Sequence, residues 1–413
     1  MFFQMKVQLI KCFYSFVFGR NEAKFIDKII QNVSRIVNHT YLDVARHPVG
    51  IEYRVQEINS LLSIEMNDIR IVGILGAGGI GKTTIAKAIY NSIASQFDGS
   101  CFLANVRETS KQYSGMVQLQ NTLLSKILGD GVKVDSVDEG IFVIKKRLCS
   151  KRVLLILDDV DDQSIQLENL AGEVDWFGLG SRIIITTRDK KVLTNHGVVD
   201  NQIYRVKELD CNEALELFCW KAFKGNKPTD DFLKLMKLAI SYTGGLPLAL
   251  EVLGSDLYNK DIRQWKSALD KYKRIPHKRI QERLRISYDG LHEDEKNIFL
   301  DIACFFKGKP KKYVKKILDS CDFFPDHGIQ VLIEKSLITI DENNNFAMHD
   351  LLQDMGREVV RQESSDPSER SRLWFHKDVR GVLEDDTVRS YIKILFQFYI
   401  CFFLLSKHTR KTF

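Results

Sequence analysis

Nine consecutive residues of this sequence are of the types that grip phosphate: Gly76, Ala77, Gly78, Gly79, Ile80, Gly81, Lys82, Thr83 and Thr84. Their spacing is GxxxxGK[ST]. Glycine at Gly76 and Gly81 lets the backbone amides fold inward around an anion with no Cβ in the way. Lys82 then reaches β- and γ-phosphates, and the Thr83 hydroxyl is offered to Mg2+. Farther on, the apolar run Val153-Leu154-Leu155-Ile156-Leu157 closes on Asp158 and Asp159. Asp158 is the second candidate Mg2+ ligand, directly or through water. Asp159 is the candidate to orient or deprotonate an attacking water. Two acids after a strand also serve as a turn or helix cap, but the phosphate loop upstream favours the metal-and-water reading. Arg188 ends a third run, Arg182-Ile183-Ile184-Ile185-Thr186-Thr187. A planar guanidinium there could bind a terminal phosphate bidentately and release it when that phosphate is lost. The chemistry is that of nucleoside di- or triphosphate binding. Neither GxSxG nor HExxH occurs, so hydrolase-elbow and zincin readings have no support.

These groups need a scaffold that gathers them. Ile69, Ile71, Val72, Ile74 and Leu75 predict a strand running into the loop, and Ile85, Ile89, Ile93 and Phe97 recur every four residues as a helix leaving it, its N-terminus toward the anion. Cys101 to Val106 predicts a short buried strand, and Leu119, Leu123, Leu124, Ile127 and Leu128, then Ile141, Ile144 and Leu148, predict helices. Unbroken apolar runs at 153–157 and 183–185 imply strands buried on both faces, as parallel strands are. The fold expected from about residue 69 to 206 is an α/β P-loop NTPase, a three-layer parallel sheet with nucleotide at its carboxyl edge. An all-helical domain follows, with Ala214, Leu217, Phe218, Phe223, Phe232, Leu235, Met236 and Ala239 as its apolar positions, interrupted where Gly244-Gly245-Leu246-Pro247 starts a new helix. After Arg279, further helices lead to Ser336 to Ile340 and Phe346 to Met348 around an Asn-rich turn at 343–345, the pattern of a winged-helix wing. His349 and Asp350 then open a stripe of Leu351, Leu352, Met355 and Val359.

With 413 residues, two to four domains are expected; 44% hydrophobic and 28% charged residues are those of a globular chain. A net charge of +6 with interspersed signs argues weakly for nucleic acid and poorly for a membrane surface. Cys12, Cys101, Cys149, Cys211, Cys219, Cys304, Cys321 and Cys401 form no CxxC pair and suit the reduced interior of a cytoplasmic protein, with the nucleus as a second setting. No His/Cys grouping has zinc-ligand spacing, and a site assembled by folding from Cys304, Cys321 and His327 is not expected. Residues 1–20 are apolar but broken by Lys6 and Lys11 with no small-residue cleavage site after them, so no signal peptide is expected. Residues 391–405 are the only route to a membrane; interrupted by Lys393 and Gln397, they fall short of the roughly 20 apolar residues a span needs.

In order, the motifs closely resemble the NB-ARC module of plant nucleotide-binding leucine-rich-repeat immune receptors of the Toll/interleukin-receptor (TIR) type. Besides GAGGIGKTT and LLILDDV the chain carries CFLANVRE (101–108), GSRIIITTRD (180–189), YRVKELDCNEALELF (204–218), GGLPLAL (244–250), FLDIACFF (299–306) and MHDLLQDMGREVV (348–360). The resemblance covers about residues 21–386, and FLDIACFF with LLQDMG points to the TIR subclass. It implies that Pro247 packs on adenine, that His349 reaches the β-phosphate of ADP, with Asp350 as helix cap fixing its ring, and that Val49, Gly50 and Ile51 of His47-Pro48-Val49-Gly50-Ile51 lie over base and ribose. Ala77 stands where the family has Met; the position acts through its backbone, so little effect is expected. Residues 1–20 resemble no TIR domain and no leucine-rich repeat is visible, so NAD cleavage is not transferred.

The domains expected are an extension (1–20), a linker helix (21–46), the P-loop domain (47–210), the helical domain (211–276), the winged helix (277–386) and an apolar tail (387–413). The function expected is a switch in plant defence signalling, closed with ADP and open and oligomerising with ATP, Mg2+ assisting and hydrolysis at most weak. Its partners would be nucleotide, other copies of itself or full-length receptors. One competing reading is a nucleic-acid-binding ATPase, motivated by Lys307, Lys309, Lys311, Lys312, Lys315 and Lys316 on the winged helix; another is a truncated regulator or decoy that pairs with receptors.

Overall fold

The computed structural model describes residues 41–384, apart from 130, 162, 163, 226, 227 and 322. The extension 1–20, most of the expected linker helix 21–46 and the tail 387–413 lie outside them. Residues 41–46 carry no helix; Leu42 instead exchanges hydrogen bonds with the Asn91 side chain at 2.9 and 2.8 Å.

Seven strands are described: β1 (Arg70–Leu75), β2 (Gly99–Leu103), β3 (Val153–Val160), β4 (Arg182–Thr187), β5 (Ile203–Arg205), β6 (Thr339–Ile340) and β7 (Phe346–Ala347). The first five make one sheet in the order β2-β3-β4-β1-β5, with β2, β3 and β4 paired in parallel. As the apolar runs predicted, every residue of β4 is buried, as is all of β3 but Asp159. Helices Lys82–Ile93, Gly115–Leu128 and Val137–Leu148 stand where the periodic stripes placed them. The strand expected at Cys101 to Val106 ends earlier. Asn105 takes the left-handed conformation (φ 51°) that Asn tolerates, and a short helix, Val106–Ser110, starts there.

Arg182 fixes the strand that delivers the phosphate loop. It is fully buried, and its guanidinium donates to the carbonyls of Leu62 (2.5 Å), Ser63 (2.7 Å) and Met66 (2.8 Å) and to the Asp68 carboxylate (3.1 Å). Those groups form the turn between helix Ile51–Leu62 and β1. A buried cation is tolerated only with such saturation.

Two compact units emerge. One comprises the sheet residues up to Ile74, 83–187 and 192–204; the other gathers 75–82, 188–191 and 205 onward. The second unit therefore contains the phosphate loop itself, the residues just after β4, and the C-terminal helices. Its wing is the antiparallel pair β6 and β7, register Thr339 with Ala347 and Ile340 with Phe346. Helix Glu293–Asp301 continues as a wider π turn, Ile302–Phe306. That turn lets Ala303 offer its carbonyl to Gln353 Nε2 at 2.9 Å, and Gly356 allows helix Asp350–Arg361 to approach so closely that an added Cβ would meet Ala303 at 2.7 Å. The chain is an α/β P-loop NTPase sheet followed by helices and a winged helix.

Candidate functional site

In the first unit, helix Lys82–Ile93 presents Thr83 at its first turn, and the Thr83 hydroxyl donates to Asp158 Oδ1 and Oδ2 at 2.9 and 3.1 Å. Thr186 of β4 donates to the same carboxylate at 2.7 Å and accepts from the Asp159 amide at 2.9 Å. Asp158 is 1% exposed whereas Thr83 is open to solvent. A hydroxyl and a carboxylate are the hard oxygen donors Mg2+ takes, and among the described residues no three acidic, His or Cys side chains could hold a metal between them. The donor set thus fits a cation that also draws on water and phosphate oxygens, the usual Mg2+ arrangement.

Asp159 diverges from its neighbour. The register between β3 and β4 shifts between Leu157 and Val160, and Asp159 adopts φ 58° within that irregularity, a local re-aiming of the kind bulges produce. Its Oδ2 pairs with Arg107 Nη2 at 2.9 Å. Arg107 is buried, also contacts Glu108 at 3.2 Å, and leaves its Nε without a partner. Sequence reasoning assigned Arg107 no role. The available signal was an arginine just beyond β2, at the sheet edge where Arg188 follows β4. Thr84 follows Thr83 in the helix and is half-buried. Val49, Gly50 and Ile51 also lie in this unit. The Val49 amide donates to His47 at 3.0 Å, Gly50 is left-handed (φ 64°), and Ile51 begins the helix.

The second unit contains the loop. Lys82, 7% exposed, turns its ammonium back onto the carbonyls of Gly76 (2.8 Å) and Ala77 (3.0 Å). Ala77 also accepts from the Ile80 amide at 3.4 Å. A Cβ on Gly78 would lie 2.7 Å from Arg188 Nη1, and one on Gly79 (φ 81°) 2.7 Å from Leu248 Cβ. Gly81 is left-handed (φ 100°), with Pro247 Cγ 4.0 Å from where its Cβ would be. The Leu248 amide donates to the Gly79 carbonyl at 3.2 Å. Helix Pro247–Leu257, opened by its proline, is therefore bonded directly to the phosphate loop. Arg188, buried over Gly78, donates to the Arg283 carbonyl at 3.0 Å.

His349 itself is the N-cap of helix Asp350–Arg361. Its Nδ1 accepts from the Leu351 amide at 3.1 Å, so Nε2 carries the proton and donates to the Gly244 carbonyl at 3.3 Å. Burial holds the imidazole below its ordinary pKa, keeping it neutral. Asp350 does not take the expected role of cap and ring support. It sits at the first helical position with its carboxylate on Lys307, and a residue inside the helix cannot cap it. The structure thus joins His349 to the GGLP turn, and that turn's helix to the loop.

Comparison with known proteins agrees with this geometry. Residues 51–228 match the NB-ARC domain, and residues 292–364 match the winged-helix domain of Roq1-like disease resistance proteins. TMV resistance protein N of Nicotiana glutinosa is 42% identical over 374 residues, 89% of this chain and 32% of its own length. Disease resistance proteins RUN1 and RPV1 of Vitis rotundifolia are 47% identical over 356 residues and 46% identical over 375, covering 86% and 90% of this chain but 26% of their own. The chain thus spans between a quarter and a third of these relatives. The Walker-type ATPase paby2304 of Pyrococcus abyssi superposes at a TM-score of 0.49 with 14% identity over 74% of this chain and 95% of its own, too distant to add to the assignment. The phosphate loop, the strand ending in Asp158 and the wing before His349 are parts of an NB-ARC domain followed by a Roq1-like winged-helix domain, and over these domains the chain is similar to plant disease resistance proteins.

Proposed function

We propose that the chain is a nucleotide-operated switch in plant disease resistance signalling, in which ADP favours a closed form and ATP an open form that self-associates. One observation carries this reading. Within a single compact unit, His349 of the winged helix bonds Gly244, and three residues past Gly245 the Leu248 amide bonds Gly79 of the phosphate loop. Anything that disturbs the loop is thereby felt at the winged helix.

The roles of the residues follow from their chemistry. Lys82 would exchange its two carbonyl partners for phosphate oxygens, and Thr83 with Asp158 would hold Mg2+, whose charge offsets that of the phosphates. Pro247 would lie against the base. Arg188 would leave the Arg283 carbonyl for a terminal phosphate, which distinguishes ATP from ADP. Asp159 is already paired with Arg107, which suits slow turnover. A ligand that binds both forms equally shifts nothing; at 100 times its dissociation constant, one specific to the closed form adds about 2.7 kcal/mol. No disulfide joins the cysteines among the described residues, which suits a cytoplasmic or nuclear setting.

The nucleic-acid reading loses ground. In a helix-turn-helix the second helix reads the groove, and here that helix, Pro325–Glu334, carries Asp326 and Glu334 and no Lys or Arg. Lys307 and Lys315 are bound to Asp350 and Asp326.

Fluorescent ADP and ATP titrated into the intact chain test the proposal. Both should bind, Lys82→Ala should abolish binding, and His349→Ala should weaken ADP more than ATP. Equal weakening of the two would refute the closed-state role of His349.

A further inference from the structure

The residue after Arg188 also reaches the winged helix. Asp189 Oδ1 accepts from the Lys191 amide at 2.8 Å, and its Oδ2 pairs with Lys335 Nζ at 2.8 Å. The two side chains are 8% and 15% exposed, so solvent and salt screen the pair little. Lys335 is the C-cap of helix Pro325–Glu334, where the carbonyl end of the helix favours a cation. Two successive residues therefore end on two different pieces of the winged-helix region: Arg188 on the Arg283 carbonyl of helix Lys278–Asp289, and Asp189 on Lys335. All four belong to one compact unit. One peptide joins Arg188 to Asp189, with Cα atoms about 3.8 Å apart, so a shift of the backbone at Arg188 as its guanidinium leaves Arg283 is carried to the neighbouring carboxylate.

We propose that the Asp189–Lys335 ion pair is a positioning latch. It holds the segment after β4 where Arg188 rests on Arg283, and it converts withdrawal of Arg188 toward a terminal phosphate into release of the winged helix. The inference rests on the switch reading above. Separating a buried carboxylate from its cation is costly, so the latch favours the arrangement with Arg188 docked. A ligand without a terminal phosphate leaves it closed; one with that phosphate must work against it. The latch therefore sets how strongly the chain prefers ADP to ATP.

The test uses the intact chain carrying Asp189→Asn, Lys335→Ala, or both. Asn keeps an oxygen for the Lys191 amide while removing the charge. Release of fluorescent ADP is followed by stopped flow during a chase with unlabelled ADP, and the ADP and ATP affinities are measured in parallel. Each single variant should release ADP roughly tenfold faster or more, within the usual range of coupling between sites, and should shift preference toward ATP. The double variant should release it no faster than the worse single one, because a pair broken twice is broken once. Unchanged release in the single variants, with normal ADP binding by the parent chain, overturns the latch alone. A lower melting temperature with an unchanged ratio of ADP to ATP affinity also overturns it, since that is what a merely structural contact gives. A parent chain that binds neither nucleotide overturns the switch reading and the latch with it.

Discussion

Gly244→Ala is the sharpest perturbation of the contact between the winged helix and the GGLP turn, because it alters neither His349 nor any charge. Gly244 has φ 55°, and a Cβ there would lie 2.6 Å from His349 Nε2 and 2.9 Å from Cε1. Two costs follow. Holding alanine in the left-handed conformation costs roughly 1–2 kcal/mol. Forcing the imidazole off the Gly244 carbonyl forfeits one hydrogen bond, about 0.5–1.5 kcal/mol. The first cost falls on folding as a whole; the second falls only on the form in which His349 is docked. Gly197→Ala separates them, since Gly197 is also left-handed (φ 78°) with no atom within 4 Å of where its Cβ would stand. Both variants should lose stability in thermal melts, but only Gly244→Ala should speed ADP release, by about 2- to 12-fold for the hydrogen bond alone at 1.4 kcal/mol per factor of ten. Adding His349→Ala to Gly244→Ala should change release little further, because the contact is already gone. If Gly244→Ala released ADP no faster than Gly197→Ala, the bond from His349 to Gly244 would have no part in holding nucleotide.

Two further predictions concern buried charge. Burial pushes Asp354 up to about 6, with Arg357 pulling the other way. The folded chain then holds a proton that the unfolded chain has lost between roughly pH 4 and 6, so stability falls as pH rises through that window and stays low above it. Asp354→Asn should raise the melting temperature at pH 7.5, worth up to about 3 kcal/mol, and flatten the profile; melts at several pH values check this. Arg372 Nε meets Asp301 Oδ1 at 2.5 Å with side chains 6% and 2% exposed, and burial raises the Asp301 carboxyl more than Arg372 lowers it. Arg372→Ala should destabilise the winged-helix unit by about 3–5 kcal/mol, while replacing both residues by apolar ones should recover most of it, as read by denaturant unfolding.

What the sequence made legible was local. The phosphate loop, the buried strands and the wing each declare themselves in a few adjacent residues, because glycine, unbroken apolar runs and Asn-rich turns have short-range physical causes. Side-chain partnerships across the chain did not declare themselves. Nothing near Asp159 names Arg107, and nothing near Asp189 names Lys335; folding brings them together. The exchange of roles at 349 and 350 has a similar origin. Either residue could cap a helix in isolation, and the choice was made by the helix starting at Asp350 and by Lys307, which takes the Asp350 carboxylate. Arg182 looked like the edge of an apolar strand, yet it is the buried anchor of the turn before β1. The resemblance supplied roles for Pro247 and His349 that no local pattern could.

The most direct test is to purify the intact chain, denature it, and identify and count the nucleotide released. The account predicts close to one ADP per chain, retained through purification and absent from Lys82→Ala. No nucleotide from the parent chain, with no saturable binding when Mg2+ and ADP or ATP are added back, would contradict it.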